Sequence, residues 1–268
     1  MTFSKLGLND AIIQALTENN ISVPTDIQTE AIPAILSQTT DLVAIAHTGT
    51  GKTAAFCLPI LQKIDSKSPT IQALVLVPTR ELGQQVAREF FLFSKHIPRI
   101  FTESVYGGVP IEDQMQRLKR NTQVVVATPG RLLDLIERNA LSLEYLQFIV
   151  LDEADEMMQM GFKTELDKIL KCCNTKNTKL LFSATLPPDV KAIIQDYIRP
   201  DAITIHIHET ELINRNIEHK YLIYKQGEKL DYLKAFLNER QNQRGILFCR
   251  TKTAAKRIAK QLVGFVVS

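Results

Sequence analysis

The sequence predicts an α/β chain: a doubly wound parallel sheet with helices on both faces, followed by a second, partial unit of the same kind. Three observations carry this expectation. Short runs that are apolar throughout, such as ALVLV at 73–77 and FIVL at 148–151, recur along the first 213 residues. Unbroken apolar runs, rather than alternating ones, indicate strands covered on both faces. Stretches of helical spacing such as TRELGQQVAREFFLFSKH at 79–96 separate them, and right-handed crossovers through such helices give three layers. Charge also steps along the chain. Residues 214–268 hold 12 Lys or Arg against 4 Asp or Glu, whereas residues 1–213 hold 20 against 25. A net charge of +3 therefore conceals an acidic first part and a basic second one.

In chain order, the expected strands are DLVAIA (41–46), QALVLV (72–77), FTESVY (101–106), QVVVAT (123–128), QFIVLD (147–152), KLLFSA (179–184) and AITIHI (202–207). The tail restarts the rhythm with IEHKYLIY (217–224), a helix near 228–239, RGILFC (244–249) and a helix near 252–262. Expected boundaries follow: a first domain over 1–207, a linker over 208–216 near the charge step, and a partial second domain over 217–268.

Composition excludes several classes. With 45% hydrophobic and 23% charged residues the chain reads as globular, not disordered. No apolar run approaches the roughly 18–20 residues needed to span a bilayer, so no membrane partner is expected. The start MTFSKLGLND has no apolar core of a secretory signal. Cys57, Cys172, Cys173 and Cys249 show no C-x-x-C spacing, which suits reduced thiols and a cytoplasmic location. His206 and His208 alternate in ITIHIHE with no ligand partner nearby and read as the polar face of a strand.

Chemistry enters at AHTGTGKT, residues 46–53, between an expected strand and an expected helix. Small residues let backbone N–H groups of Thr48, Gly49, Thr50 and Gly51 curl around a phosphate. Lys52 supplies charge for the β/γ-phosphates, and Thr53 places a hydroxyl where Mg2+ would sit. The strict pattern opens on Gly, and here that position is Ala46. An acidic partner for the metal is expected at the end of another strand. FIVLDEAD (148–155) offers Asp152 there, with Glu153 following as a group to orient or activate water. For Asp155, a simple helix-capping role competes with a functional one.

DEAD at 152–155 together with AHTGTGKT resembles the DEAD-box family of ATP-dependent RNA helicases. Further segments match the family in order. VPTDIQ (23–28) looks like its Q motif, and the resemblance implies that Gln28 reads the adenine edge, with Phe3 as the isolated upstream aromatic. PTREL (78–82), Gly107–Gly108 and TPGR (128–131) match RNA-contacting segments, which assigns Pro78, Thr79, Arg80, Thr128, Pro129, Gly130 and Arg131 to RNA. SAT (183–185) matches the motif coupling hydrolysis to strand separation, through Ser183 and Thr185, and ILFCRT (246–251) resembles the fourth motif. The implied fold is a RecA-like P-loop NTPase lobe plus part of a second. The implied activity is ATP- and Mg2+-dependent local unwinding of RNA, with Asp152, Glu153 and Lys52 as catalytic residues. Single-stranded and short duplex RNA would bind independently of sequence. Two departures stand out. Ile21 occupies the place of an aromatic that stacks on adenine, and after KRIAKQL the chain reads VGFVVS with no match to the fifth and sixth motifs. The second lobe is therefore expected to be truncated and unwinding impaired.

Overall fold

The computed structural model describes residues 2–37, 40–173, 176–207, 218, 220–225, 227–240 and 243–263. The chain divides into two compact units, Met1–Glu209 and Thr210–Ser268. The expected linker at 208–216 lies outside the described residues.

The first unit opens with a 3-10 turn, Phe3–Leu6, then α1 (Asp10–Glu18) and α2 (Asp26–Ser37). The alternation follows: β1 (Leu42–Ile45), α3 (Lys52–Lys63), β2 (Ala73–Leu76), α4 (Arg80–Phe93), β3 (Thr102–Val105), α5 (Ile111–Leu118), β4 (Val124–Ala127), α6 (Pro129–Glu137) and β5 (Phe148–Leu151). Next come α7 (Ala154–Gln159), α8 (Lys163–Cys172), β6 (Thr178–Ser183), α9 (Pro188–Tyr197) and β7 (Ile203–His206). All pairings are parallel, in the order β3-β4-β2-β5-β6-β1-β7.

Every residue of β2, β4 and β5 is buried, as strands covered on both faces require. Alternate side chains serve opposite layers. Ala73, Val75 and Val77 join the core under α1–α4, while Leu74 and Leu76 join the core that holds α6–α9. In the first layer Phe56 of α3 packs on Phe182 of β6, with ring centroids 5.2 Å apart. Helix starts are set locally. The Asn9 side chain accepts from Ile12 N–H and the Thr79 hydroxyl from Leu82 N–H, satisfying N–H groups that a helix start leaves open.

The second unit contains α10 (Lys229–Asn238) and α11 (Lys252–Leu262), close to the helices expected there, and no residue of either is buried. Its two expected strands are corrected. The described residues of 217–224, and all of 244–249, are not extended ladders. A strand holds its shape by pairing with a neighbour, and the described part of this unit contains none. Tyr221, Ile223, Ile246 and Phe248 are 91%, 84%, 83% and 90% exposed in consequence. Among the described residues no helix is long and apolar enough to cross a membrane.

Candidate active site

In a parallel sheet all strands end on one edge, and the sequence motifs follow those ends. β1 leads into 46–53, β5 into 152–155 and β6 into 183–185, and these three strands are consecutive in the order β5-β6-β1. β3, β4 and β2 lead into 106–108, 128–131 and 78–82, and they are consecutive in the other half. The two groups meet where β2 pairs with β5, Asp152 N–H donating to Leu76 O at 2.9 Å.

The loop before α3 turns through two left-handed glycines, Gly49 (φ 86) and Gly51 (φ 90). At Gly51 the left-handed φ itself favours glycine, and a Cβ there would also displace the Gln28 side-chain nitrogen and lie 3.1 Å from Thr25 Oγ1. Gln28 braces this turn: its Nε2 donates to Gly51 O at 3.1 Å and its Oε1 accepts from Thr25 N–H at 3.0 Å. Thr50 Oγ1 donates to His47 O at 2.7 Å. Beside the loop lies a cavity of ≈ 660 Å³. Thr48, Gly49, Gly51, Lys52 and Thr53 line it, together with Gln28, Asn19, Ile21, Asp152 and Glu153. α4 adds Leu82, Gln85, Glu89, Leu92 and Phe93.

Lys52 Nζ pairs with Glu153 Oε2 at 2.7 Å, both side chains nearly buried. Glu153 sits in the left-handed region (φ 49, ψ 53), uncommon for a residue with a side chain. Its N–H donates to Asp152 Oδ1 at 3.1 Å. Asp152 is 2% exposed. Burial, then the neighbouring Glu153 carboxylate, push its carboxyl up to about 7 against the opposing pull of Lys52. Burial also raises Glu89 on the facing helix. Asp155 behaves differently. Burial would raise it, but the Thr185 and Ser183 hydroxyls and the backbone of 184–185 together hold it below the usual carboxylate value. Thr185 Oγ1 and N–H donate to Asp155 Oδ2 at 2.7 and 3.0 Å, and Asp155 N–H donates to Ser183 Oγ at 3.2 Å. Ser183 O accepts from Ala46 N–H at 3.0 Å, joining this network to the start of the glycine loop.

On the other half of the edge, Thr79 caps α4 and Arg80 lies 4.8 Å from the centre of the Tyr106 ring. Gln84 Nε2 donates to Tyr106 Oη at 2.8 Å. Gly107, Gly108 and Gly130 are exposed. Thr128 precedes α6 with no side-chain cap bond, and Pro129 takes the first helical position. Pro78 is buried, whereas Arg131 reaches across to donate to Val109 O at 3.0 Å.

A model of the DEAD/DEAH box helicases matches residues 25–193. The chain belongs to that family. It is 42% identical to the RNA helicase CrhR of Synechocystis over 97% of its own length and 52% of the relative's. It is 38% identical to the ATP-dependent RNA helicase CshA of Limosilactobacillus reuteri over 98% of this chain and 52% of that one. The chain thus spans about half the length of these curated relatives. Its fold is similar to the crystal structure of a DEAD box protein from the hyperthermophile Methanococcus jannaschii, with a TM-score of 0.75 and 38% identity. That match covers 98% of this chain and 70% of the other.

Most of the DEAD-box positions read from sequence come together around the cavity or along the strand ends beside it. Phe3 does not. It is 4% exposed and packed in the core beneath α1 and α2, because an apolar side chain in the first turn gains more from burial than from an open wall. Gln28 faces the wall, with its amide engaged by the loop. The sequence reading missed Tyr106 and Glu89. An aromatic directly before a glycine pair could have pointed to Tyr106. For Glu89 the signal was the stripe Leu82, Gln85, Glu89, Leu92 at helical spacing on one face of α4. Among the described residues, no three His, Cys, Asp or Glu side chains could hold a metal by themselves.

Proposed function

We propose that this chain binds ATP with Mg2+ at the cavity and RNA along the β3-β4-β2 ends, as the first lobe and part of the second of an ATP-dependent RNA helicase. The observation that carries the reading is the division of one sheet edge into two adjoining halves. One holds Lys52, Asp152 and Glu153; the other presents Arg80, Gly107, Gly108 and Arg131. Lys52 and the N-terminal N–H groups of α3 would receive the phosphates, and Gln28 the adenine edge once its bond to Gly51 is released. The apolar Ile21, Leu82 and Leu92 suit the base.

The oxygen donors on the wall fit a hard cation: the Thr53 hydroxyl and the Asp152 carboxylate, whose charged form burial and the neighbouring Glu153 disfavour and a bound cation would favour. Too few side chains for an all-protein cage matches Mg2+, which keeps waters and completes its shell from substrate phosphates. Bound there, it would neutralise charge on the transferring phosphoryl group. Glu153, released from Lys52 as that ammonium turns to phosphate, would accept a proton from the attacking water. Asp155, Ser183 and Thr185 would pass the change at the glycine loop to the strand ends that hold RNA. Arg80, Arg131 and backbone N–H groups recognise phosphodiester oxygens and not bases, so binding should be independent of sequence. Four free cysteines suit a reducing cytoplasm.

Titration with a fluorescent ATP analogue, with and without Mg2+, and with labelled oligouridine tests the reading. Mg2+-dependent nucleotide binding together with RNA binding is expected. Absence of nucleotide binding would refute it. Among the described residues lining the cavity, Lys52 is the one cation against three carboxylates. Turnover by the 268-residue polypeptide is therefore expected to be slow, and robust RNA-stimulated hydrolysis in a steady-state assay would contradict this account of the site.

A further inference from the structure

The loop after β3 is held by side chains that the motifs do not name. Gln114, on α5, is 0% exposed and donates from Nε2 to Tyr106 O at 2.9 Å. Its Oε1 is buried with no partner among the described residues. A half-satisfied buried amide is a costly way to fill space that a leucine would fill as well. What the amide adds is direction.

The Tyr106–Gly107 peptide is trans, so its carbonyl and its N–H point opposite ways. With Tyr106 O drawn toward a fully buried side chain, the Gly107 N–H is turned away from the core. Gly107 is exposed, and its N–H meets no acceptor among the described residues. Nothing inside the fold asks for glycine at 107. Its φ is not left-handed and a Cβ would meet nothing within 4 Å, whereas Gly108 has φ 86. The missing side chain leaves room for something that approaches from outside.

We propose that Gln114 is a positioning residue. Through the Tyr106 carbonyl it fixes the Gly107 N–H as an outward donor to a phosphodiester oxygen of RNA. The proposal rests on the RNA reading above and adds to it a buried residue that never touches the ligand. Val109 O, tied by Arg131 at 3.0 Å, anchors the other end of the same loop.

The test uses the full chain, anisotropy of fluorescein-labelled oligouridine, and a fluorescent ATP analogue as the control. Gln114→Leu should weaken RNA binding by about tenfold, the equivalent of one hydrogen bond to a charged group, and leave ATP affinity unchanged. Gly107→Ala, which disturbs no core contact, should do the same. The double variant should bind no more weakly than Gly107→Ala alone, because both changes remove one contact. In isotope-labelled protein the Gly107 amide resonance should shift on adding oligouridine in the parent and stay put in Gln114→Leu. RNA affinity unchanged in either single variant, or losses that add in full, would overturn the proposal while leaving RNA binding by the parent intact. A parent that binds ATP but not oligouridine would overturn the RNA reading itself, and this proposal with it.

Discussion

Lys52 and Glu153 stand 2.7 Å apart, each acting as the other's counter-ion, and both are needed elsewhere once phosphate arrives. Glu153→Gln should therefore bind ATP as tightly as the parent or more so, since Lys52 is no longer held, while Lys52→Ala should lose at least about tenfold in affinity. Titration with a fluorescent analogue distinguishes the two, and unchanged affinity in Lys52→Ala would remove 46–53 from the phosphate site. Asp152 carries a pH signature of the opposite sense to a salt-bridged carboxylate. Its folded value, about 7, lies above the ordinary 3.8, so the folded chain holds the proton more tightly. The resulting stabilisation is fully present below 3.8 and is lost as pH rises through about 7. In the absence of Mg2+, the urea midpoint of the parent should fall relative to Asp152→Asn across that window. A difference that is flat with pH would show that burial does not govern this carboxyl. Lys52, Asp152 and Glu153 were legible because their spacing after apolar strands is itself the geometry. Asp155 was not, since an acidic residue at a helix start looks the same whether it caps or binds Thr185.

Strands make the clearest case for reading elements from sequence. All seven strands of the first unit were legible, the central ones from runs such as ALVLV and FIVL because burial on both faces leaves no polar alternation to confuse, whereas the edge strands β3 and β7 are only partly buried. The same rule failed at IEHKYLIY and RGILFC. Their composition is equally β-rich, but a strand is a property of a pair, and no neighbour is present among the described residues. The order β3-β4-β2-β5-β6-β1-β7 was not legible either. It depends on where each crossover lands, and it is what sorts the motifs into two halves. Within the β5-β6-β1 half, Asp155, Ser183 and Thr185 tie α7 to the end of β6 by hydrogen bonds of 2.7–3.2 Å. Thr185→Val removes the shortest donor to a buried carboxylate and should lower stability by about 1–3 kcal/mol. Because Thr185 is not on the cavity wall, ATP affinity should be unchanged. A thermal midpoint equal to the parent's, or a parallel loss of ATP binding, would contradict the separate placement of this network.

At the scale of the whole molecule, two units of unequal quality share one chain. The unit Met1–Glu209 closes two hydrophobic layers around a seven-stranded sheet. In Thr210–Ser268, neither helix buries a residue, and Tyr221, Ile223, Ile246 and Phe248 lie open. Ordering a residue's backbone costs roughly 1–2 kcal/mol, and apolar burial that would offset this is missing across the described part of the unit. The net of 12 basic against 4 acidic residues over 214–268 opposes collapse further. Native-state hydrogen exchange should therefore show strong protection at Phe148–Leu151 and almost none at 244–249, with opening free energies near zero in the second unit. ATP should slow exchange in the first unit alone, because every described residue on the cavity wall belongs to it. The exposed apolar side chains of 221–224 and 246–248 should make the chain self-associate as salt rises and screens the basic charge, and sedimentation at two ionic strengths reads this directly. Protection at 244–249 as strong as at 148–151, in a chain that stays monomeric, would mean that these segments pair after all and that the second unit is a folded body.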